Sequence, residues 1–288
     1  MSKIILITGA STGFGRDTAE TLANAGHQVF ASMRDLAGKN KQHSEVLRTK
    51  GIQTLELDVT DEQSISEAVN FVKAKAGNVD VLINNAGVAS AGVTEAFSSD
   101  QLAALFDVNV FGVHRVTSAV LPSMRKQQSG LIINVGSILG RVTFPFFGLY
   151  GASKYAIEAM TDSLRYEVSQ FGIDVALVQP SAYPTQMYGS ALQPSDANCV
   201  KSYGDVGEIP GAMFGQFMEM FEAENAPNPH DVAETVLELI DTPAGHRSQR
   251  SVVGASFGAD SVNSSVAPIQ SAAVKALGLD HLETLKTP

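Results

Sequence analysis

A tyrosine and a lysine four residues apart form the most reactive pair in this sequence. Tyr150 and Lys154 stand in the segment Tyr-Gly-Ala-Ser-Lys at the start of a helical pattern, so the phenol and the ammonium share one helix face. A phenol has a pKa of about 10 in water, and a neighbouring cation favours the phenolate, which suits general acid/base catalysis. A solvated surface pair explains this spacing as well when the pair is considered alone. Ser137 follows a predicted strand upstream and can hydrogen-bond the carbonyl oxygen that the phenol protonates.

A glycine-rich loop near the start of the chain predicts a nucleotide site. It follows the first predicted strand and precedes a helical pattern from Arg16 to Ala25. Glycines permit a tight turn and close approach of the backbone to a pyrophosphate, which the next helix stabilises. An ordinary strand-to-helix turn is the alternative, but the position within a series of βα units favours a dinucleotide. The predicted contacts in this loop are Gly9, Ser11, Thr12, Gly13, Phe14 and Gly15.

Two later turns support the same site. Asp58 and Val59 follow the third predicted strand, where the carboxylate either accepts the adenine amino group or caps the helix after Thr60. The segment Asn84 to Gly87 ends the fourth strand; its glycine would admit a nucleotide, although a simple turn also fits. The predicted contacts here are Asn85, Ala86 and Gly87.

Short β-branched runs alternate with amphipathic segments, which is typical of βαβ units and a parallel sheet. Several runs are apolar at successive positions, so helices should cover both faces. We therefore predict an α/β fold, a Rossmann-type doubly wound parallel sheet of about seven strands, in a single domain over residues 1–288. The predicted strands are residues 3–7, 27–32, 52–57, 79–84, 130–135, 173–179 and 250–254.

Residues 181–227 differ in composition from the rest, with four prolines and many Met and Phe residues. We interpret them as a substrate-binding lobe with a helix near 211–224. A further helix, 229–241, has Asn228 as its cap and Pro229 at its first position. With Phe144 to Phe147 and Tyr183 to Tyr188, the lobe predicts a pocket for a small apolar carbonyl or alcohol. Core packing or a subunit contact is the alternative.

Composition excludes several classes of protein. Of 288 residues, 44% are hydrophobic and 17% charged, which is unlike a disordered chain, and the net charge of −10 disfavours nucleic acid as a partner. One cysteine and six histidines lack the spacing of a metal site. No apolar run is long enough for a membrane span, and the first strand begins beside the initiator Met. A cytoplasmic protein without metal is the expectation.

The ordered motifs resemble the classical short-chain dehydrogenase/reductase family, in its hydroxysteroid and retinol dehydrogenase branch, from Lys3 to about Gly254. The resemblance rests on Thr8 to Gly15, on Asn84 to Gly87, on Asn109, on Ser137 and on the pair Tyr150 and Lys154. It implies that Tyr150 donates the proton, that Ser137 orients the substrate oxygen, that Lys154 holds the nicotinamide ribose, and that Asn109 keeps a water relay in place.

The chain departs from the family pattern after the sixth strand. The family usually has Pro-Gly followed by a Thr that bonds the carboxamide, whereas this chain has Ser181 between Pro180 and the in-register Thr185. A side chain then stands where the nicotinamide ring packs. Pro180 and Thr185 remain predicted cofactor contacts.

The cofactor is predicted to be NADP(H). Where NAD enzymes carry an acidic residue after the second strand this chain has Met33, followed by Arg34, whose planar fork suits a 2'-phosphate. Ser32 can add a hydroxyl. The alternative is that Arg34 pairs with Asp35 on the surface.

These observations predict an NADP(H)-dependent carbonyl reductase or alcohol dehydrogenase that transfers a hydride between nicotinamide and a ketone or secondary alcohol. The alternative is a nucleotide-binding, redox-sensing regulator without turnover. The resemblance and the apolar helical segments from Leu102 to Val120 also predict a homo-oligomer, a dimer or tetramer.

Overall fold

A parallel sheet runs through the centre of the chain, of which the computed structural model describes residues 2–287. In this range seven strands lie in the order β3-β2-β1-β4-β5-β6-β7, and all neighbouring strands run parallel. The prediction of a doubly wound α/β sheet is confirmed. The strands are β1 (Ile4–Ile7), β2 (Gln28–Met33), β3 (Gln53–Glu56), β4 (Val81–Asn84), β5 (Gly130–Val135), β6 (Ile173–Pro180) and β7 (Arg250–Val253).

Helices cover both faces of this sheet because the strands are apolar on both sides. One buried cluster joins the sheet to Leu22, Leu47 and Val236, and a second joins the opposite face to Val72 and Val120. The helices are α1 (Gly13–Asn24), α2 (Lys41–Thr49), α3 (Glu62–Lys75), α4 (Ser99–Phe106), α5 (Gly112–Gln127), α6 (Gly148–Ser169), α7 (Ala197–Ser202), α8 (Asp205–Glu222), α9 (His230–Asp241) and α10 (Ala259–Ala276). Thus α1, α2 and α9 lie on one face, and α3 and α5 on the other.

The predicted elements differ from the observed ones mainly at their ends. All seven predicted strands are present, with bounds that shift by one or two residues at some ends. Helix α9 begins at His230, one residue later than predicted, and the Asn228 Oδ1 accepts a hydrogen bond from the His230 backbone at 3.1 Å. Helix α8 begins at Asp205 rather than near residue 211 and continues through Pro210. Its two acidic residues in the first turn favour that earlier start.

The segment 181–227 lies over the carboxyl edge of the sheet and contains α7 and α8. No residue of α8 is fully buried, although several of its side chains face an internal cavity. Helix α8 therefore lines a cavity without belonging to the hydrophobic core, whereas Tyr183 of the same segment is buried in that core.

Among residues 2–287, none of the helices combines the length and the hydrophobicity that a membrane span requires.

Exposed aromatic side chains near the start of α5 and on α6 bear on the predicted association. Phe111 is 50% exposed and Tyr155 is 43% exposed, and large exposed apolar groups often mark contacts between subunits. Association is untested and stays a prediction.

We expect light scattering at micromolar concentration to give a mass at least twice that of one 30.4 kDa chain. Phe111→Glu should shift the mass toward one chain, since a charge would replace a buried ring at the contact. The control is Leu277→Glu at the end of α10, where the side chain is 73% exposed and no such effect is expected. A wild-type mass of one chain would contradict the prediction.

Candidate active site

The turns after β1 and β4 meet at the carboxyl edge of the sheet. The Asn85 Nδ2 donates to the backbone oxygens of Thr8 (2.9 Å) and Gly9 (3.0 Å). In return the Thr8 Oγ1 accepts hydrogen bonds from the backbone nitrogens of Asn85 and Ala86, both at 3.0 Å. The predicted glycine loop and the predicted Asn-Asn-Ala-Gly turn therefore hold each other in place.

Glycine is required at this meeting point. Gly9 has a φ of +67°, and a Cβ built there would lie 2.7 Å from the Ala86 Cα, closer than real Cβ atoms approach. Gly13 also has a positive φ of +56° and opens toward the side chain of Thr185. The backbone is thus exposed along a narrow cradle at the start of α1, which fits the pyrophosphate of a dinucleotide.

A groove of about 470 Å³ extends from this cradle toward the end of β2. It is lined by most of the predicted cofactor residues: Gly9, Ser11, Thr12, Gly13, Phe14, Arg34, Asp58, Val59, Asn85, Ala86, Gly87 and Thr185. Gly15 lies behind the loop, and Pro180 lines the neighbouring cavity. Sequence reasoning missed Lys39, Asn40 and His43, which also line the groove. They come from α2 and the loop before it, where no motif or spacing marks them.

At the far end of the groove the structure contradicts two alternatives from the sequence, an Arg34–Asp35 pair and a helix cap at Asp58. The Arg34 Nη1 lies 3.7 Å from the Asp58 Oδ2, so the alternative that Arg34 pairs with Asp35 is wrong. Asp58 does not cap α3, because Asp61 does so by accepting from the backbone of Gln63. Ser32 is buried and donates to the Ile7 backbone oxygen at 2.9 Å, so it is unavailable to a ligand.

The carboxylate of Asp58 is ionised over a wide pH range. Burial raises its pKa, but hydrogen bonds from Thr60 and the charge of Arg34 outweigh that effect and lower it. The Asp58 Oδ1 accepts from the Thr60 backbone nitrogen at 2.9 Å and from its hydroxyl at 2.7 Å. Its Oδ2 therefore remains directed toward Arg34 and the groove.

The predicted serine, tyrosine and lysine converge on an adjacent cavity of about 680 Å³. Ser137 lies in the loop after β5, and Tyr150 and Lys154 lie on the first turns of α6. The Lys154 Nζ donates to the Val135 backbone oxygen at 2.9 Å and lies 5.6 Å from the centre of the Tyr150 ring. All three side chains are buried, so the surface-pair alternative for Tyr150 and Lys154 is wrong.

Burial sets the protonation states of Tyr150 and Lys154. It raises the pKa of Tyr150 to about 12, although a hydrogen bond with Ser137 acts in the opposite direction. It also lowers the pKa of Lys154 to about 8. The sequence suggested that the Lys154 cation lowers the pKa of the Tyr150 phenol. In the structure, burial has the larger effect and raises that pKa. The Tyr150 phenol is therefore protonated at neutral pH, and a protonated phenol can donate to a carbonyl oxygen.

Asn109 connects the turn after β4 to the helix that carries Tyr150. It lies in a π-helical turn, Asp107–Phe111, between α4 and α5. Its Oδ1 accepts from the Val88 backbone at 2.8 Å, and its Nδ2 donates to the Val88 oxygen at 2.9 Å and to the Ser153 hydroxyl at 3.1 Å. The side chain thus positions the site's backbone, and its part in a water relay stays a prediction.

The cavity wall is mainly apolar and contains several packed aromatic rings. Rings pack against one another at centroid distances of 5.6 Å for Tyr188 and Phe217 and 5.3 Å for Phe144 and Phe257. Ser181 also lines the cavity, and its backbone nitrogen donates to the Val253 oxygen at 2.9 Å. Ser181 does not have a positive φ, so a serine is accepted at this position without backbone strain.

The groove and the cavity are continuous, because Phe14, Asn85, Thr185 and Met187 line both. A dinucleotide in the groove would therefore reach the buried Ser137, Tyr150 and Lys154.

Residues 2–287 contain no group of three or more His, Cys, Asp or Glu side chains that could hold a metal ion.

Comparison with known proteins identifies the family. The family model described as short chain dehydrogenase matches residues 3–195. A 3-ketodihydrosphingosine reductase from Bacteroides thetaiotaomicron is 41% identical over 183 residues, which are 64% of this chain and 65% of that protein, just under two thirds of its length. Retinol dehydrogenase 8 from Bos taurus is 33% identical over 252 residues, 83% of this chain and 78% of that protein.

Solved structures give the same result. A short-chain dehydrogenase from Streptomyces avermitilis superposes with a TM-score of 0.78 at 28% identity and covers 96% of this chain and 97% of its own. An actinorhodin polyketide ketoreductase with NADPH superposes with a TM-score of 0.73 at 28% identity and covers 90% of this chain and 97% of its own. The similarity extends well beyond the nucleotide-binding half.

Proposed function

We propose, because this chain belongs to the short-chain dehydrogenase family, that it is an NADP(H)-dependent carbonyl reductase or alcohol dehydrogenase acting on an apolar ketone or secondary alcohol. The observation that carries the proposal is the burial of Ser137, Tyr150 and Lys154 on one cavity that opens into the glycine-lined groove. A protein that only sensed nucleotide would need no buried proton donor beside an apolar cavity.

The roles of the side chains follow from their positions. A bound nicotinamide would supply or accept the hydride. In the direction of reduction the Tyr150 hydroxyl gives its proton to the carbonyl oxygen, and the Ser137 hydroxyl hydrogen-bonds that oxygen so that it faces the phenol. The Lys154 ammonium then stabilises the phenolate that remains. The Lys154 Nζ is held for this task by its 2.9 Å hydrogen bond to the Val135 oxygen.

The nature of the cavity favours an apolar substrate. Its larger side chains are mostly Phe, Tyr and Met, and apolar groups form most of the wall. A 3-ketodihydrosphingosine reductase and a retinol dehydrogenase are among the relatives, and their names are consistent with this character.

We first expect Tyr150→Phe to lower kcat for ketone reduction by about 100- to 10,000-fold, because the substitution removes only the proton donor. Binding of NADPH, measured by fluorescence, should be unchanged. A variant that keeps more than half the wild-type rate would exclude Tyr150 from the mechanism. If wild-type protein binds NADPH but oxidises it with no member of a ketone panel, the alternative of a redox-sensing regulator is favoured.

The low pKa of Lys154 predicts the pH dependence of the reaction. Burial disfavours the charged form, so Lys154 is an ammonium below about pH 8 and loses its proton as the pH rises through that value. The kcat/KM for NADPH in ketone reduction should therefore decline above about pH 8 with a single ionisation.

Lys154→Met should abolish this ionisation and give a low rate at every pH. An activity that stays constant up to the pKa of an ordinary lysine, about 10.4, would show that Lys154 is not the titrating group.

The preference for NADPH over NADH is the part of the proposal that depends on Arg34. Its side chain is 51% exposed in the groove, and Met33 beside it is apolar, so no carboxylate at that position would repel a 2'-phosphate. Lys39 and His43 line the same end of the groove and add positive or hydrogen-bonding groups. Together these side chains favour the phosphorylated cofactor.

We expect the ratio of kcat/KM for NADPH over NADH to exceed one and to fall by about 10- to 100-fold in Arg34→Ala, as a lost charge-assisted hydrogen bond implies. Arg16→Ala is the matched control, since Arg16 pairs with Glu20 at 3.0 Å and should leave the ratio unchanged. A wild-type ratio below one, or a ratio that Arg34→Ala does not alter, would refute the NADPH assignment.

A further inference from the structure

A buried carboxylate lies one helical turn beyond Lys154. Glu158 is in α6, four residues after Lys154 and eight after Tyr150, so the three side chains share one face of the helix. Glu158 is only 3% exposed. The reaction described above makes no use of it, yet a buried charge is costly unless it is well paired.

Three side chains satisfy this carboxylate. The Glu158 Oε2 lies 3.0 Å from the Arg141 Nη2 and accepts from the Arg250 Nε at 2.9 Å. The Glu158 Oε1 accepts from the Gln179 Nε2 at 2.5 Å. Arg250 also contacts both carboxylate oxygens of Asp162 at 2.5 Å. Two guanidinium groups therefore face two carboxylates, and the cluster is formally neutral.

Arg141 brings the loop that carries Ser137 into contact with α6. That loop is a tight turn in which the Gly140 backbone nitrogen donates to the Ser137 oxygen at 2.9 Å and the Arg141 nitrogen donates to the Ile138 oxygen at 2.9 Å. A Cβ at Gly140 would lie 2.9 Å from the Glu158 Cγ. The Ser137 loop thus packs directly on Glu158 and is also joined to it by an ion pair.

Gln179 connects the same carboxylate to the cofactor side of the cavity. It is fully buried at the end of β6, next to Pro180, and its Oε1 accepts from the Asn263 Nδ2 of α10 at 2.7 Å. Glu158 therefore contacts side chains from the Ser137 loop, from β6 and from β7. The Ser137 loop and the end of β6 both border the cavity.

We propose that Glu158 is a positioning residue whose carboxylate, through Arg141, holds the Ser137 hydroxyl in register with the Tyr150 phenol. This inference rests on the proposed function for its catalytic consequence. Buried ion pairs commonly add little net stability compared with apolar packing, whereas a small displacement of a reacting group lowers the rate strongly. The effect of Glu158 is therefore on the geometry of the site more than on the folded state as a whole.

The test compares Glu158→Gln with Asp162→Asn in the full-length protein. The glutamine keeps the size of the side chain but removes its charge and turns an N–H group toward an arginine. Asp162→Asn removes the other carboxylate of the cluster, which contacts Arg250 but not the Ser137 loop. Arg141→Leu breaks only the link to that loop and replaces Glu158→Gln in the comparison if the latter fails to fold.

For Glu158→Gln or Arg141→Leu we expect kcat to fall by about 10- to 100-fold while the Kd for NADPH is unchanged. In a Ser137→Ala background the same substitution should have little further effect, because it acts through Ser137. Asp162→Asn should keep kcat within about twofold of wild type, as for a partly exposed ion pair. A kcat loss that persists undiminished in the Ser137→Ala background, or no loss at all, would overturn the proposal.

Amide hydrogen exchange gives a readout that needs no turnover. Segments covering residues 138–142 should exchange about tenfold faster in Glu158→Gln or Arg141→Leu, but not in Asp162→Asn, since the turn loses its attachment to α6. Unchanged exchange in this loop would overturn the positioning role even if the enzyme is active. Faster exchange in a protein that reduces no ketone would instead support the role of Glu158 and refute the proposed function.

Discussion

The close contact between the turns after β1 and β4 is the constraint on which the site depends. The strand order reverses at β1, which lies between β2 and β4. At such a point the turns that follow the two neighbouring strands diverge and leave a crevice between them. Gly9 permits the backbones to touch, and Asn85 fixes their distance with two hydrogen bonds. A side chain larger than hydrogen at Gly9 would separate the turns and change the width of the groove that leads to Lys154.

Desolvation then sets the protonation states of Tyr150 and Lys154. Tyr150 and Lys154 are both enclosed, and their pKa values move in opposite directions for the same reason: each neutral form is favoured when water is removed. The two pKa values, nearly equal in water, therefore move apart, to about 12 for the Tyr150 phenol and about 8 for the Lys154 ammonium. One turn further along α6, the buried carboxylate of Glu158 is stabilised by Arg141, Arg250 and Gln179.

Features formed by residues close together in the chain could be predicted from the sequence. The spacing of Tyr150 and Lys154 fixed their common face, and the glycines from Gly9 to Gly15 marked the turn at the start of α1. Sequence reasoning failed where partners are distant in the chain. Nothing near Arg34 in the sequence indicates Asp58 as its neighbour, and nothing near Glu158 indicates Arg250. Likewise α10 was not predicted, because its Ser and Asn residues and Pro268 have low helix propensity and obscure the helical pattern.

The absence of any fully buried residue in α8 has a consequence for how this protein can diversify. Substitutions at sites outside the core usually change folding free energy by less than about 0.5 kcal/mol. Met213, a partly exposed side chain that lines the cavity, can therefore be exchanged for a smaller or larger one with little loss of stability, while the sheet and Tyr150 stay intact. Selection or laboratory evolution acting on this one helix would reshape the cavity, while the buried Ser137, Tyr150 and Lys154 would stay in place.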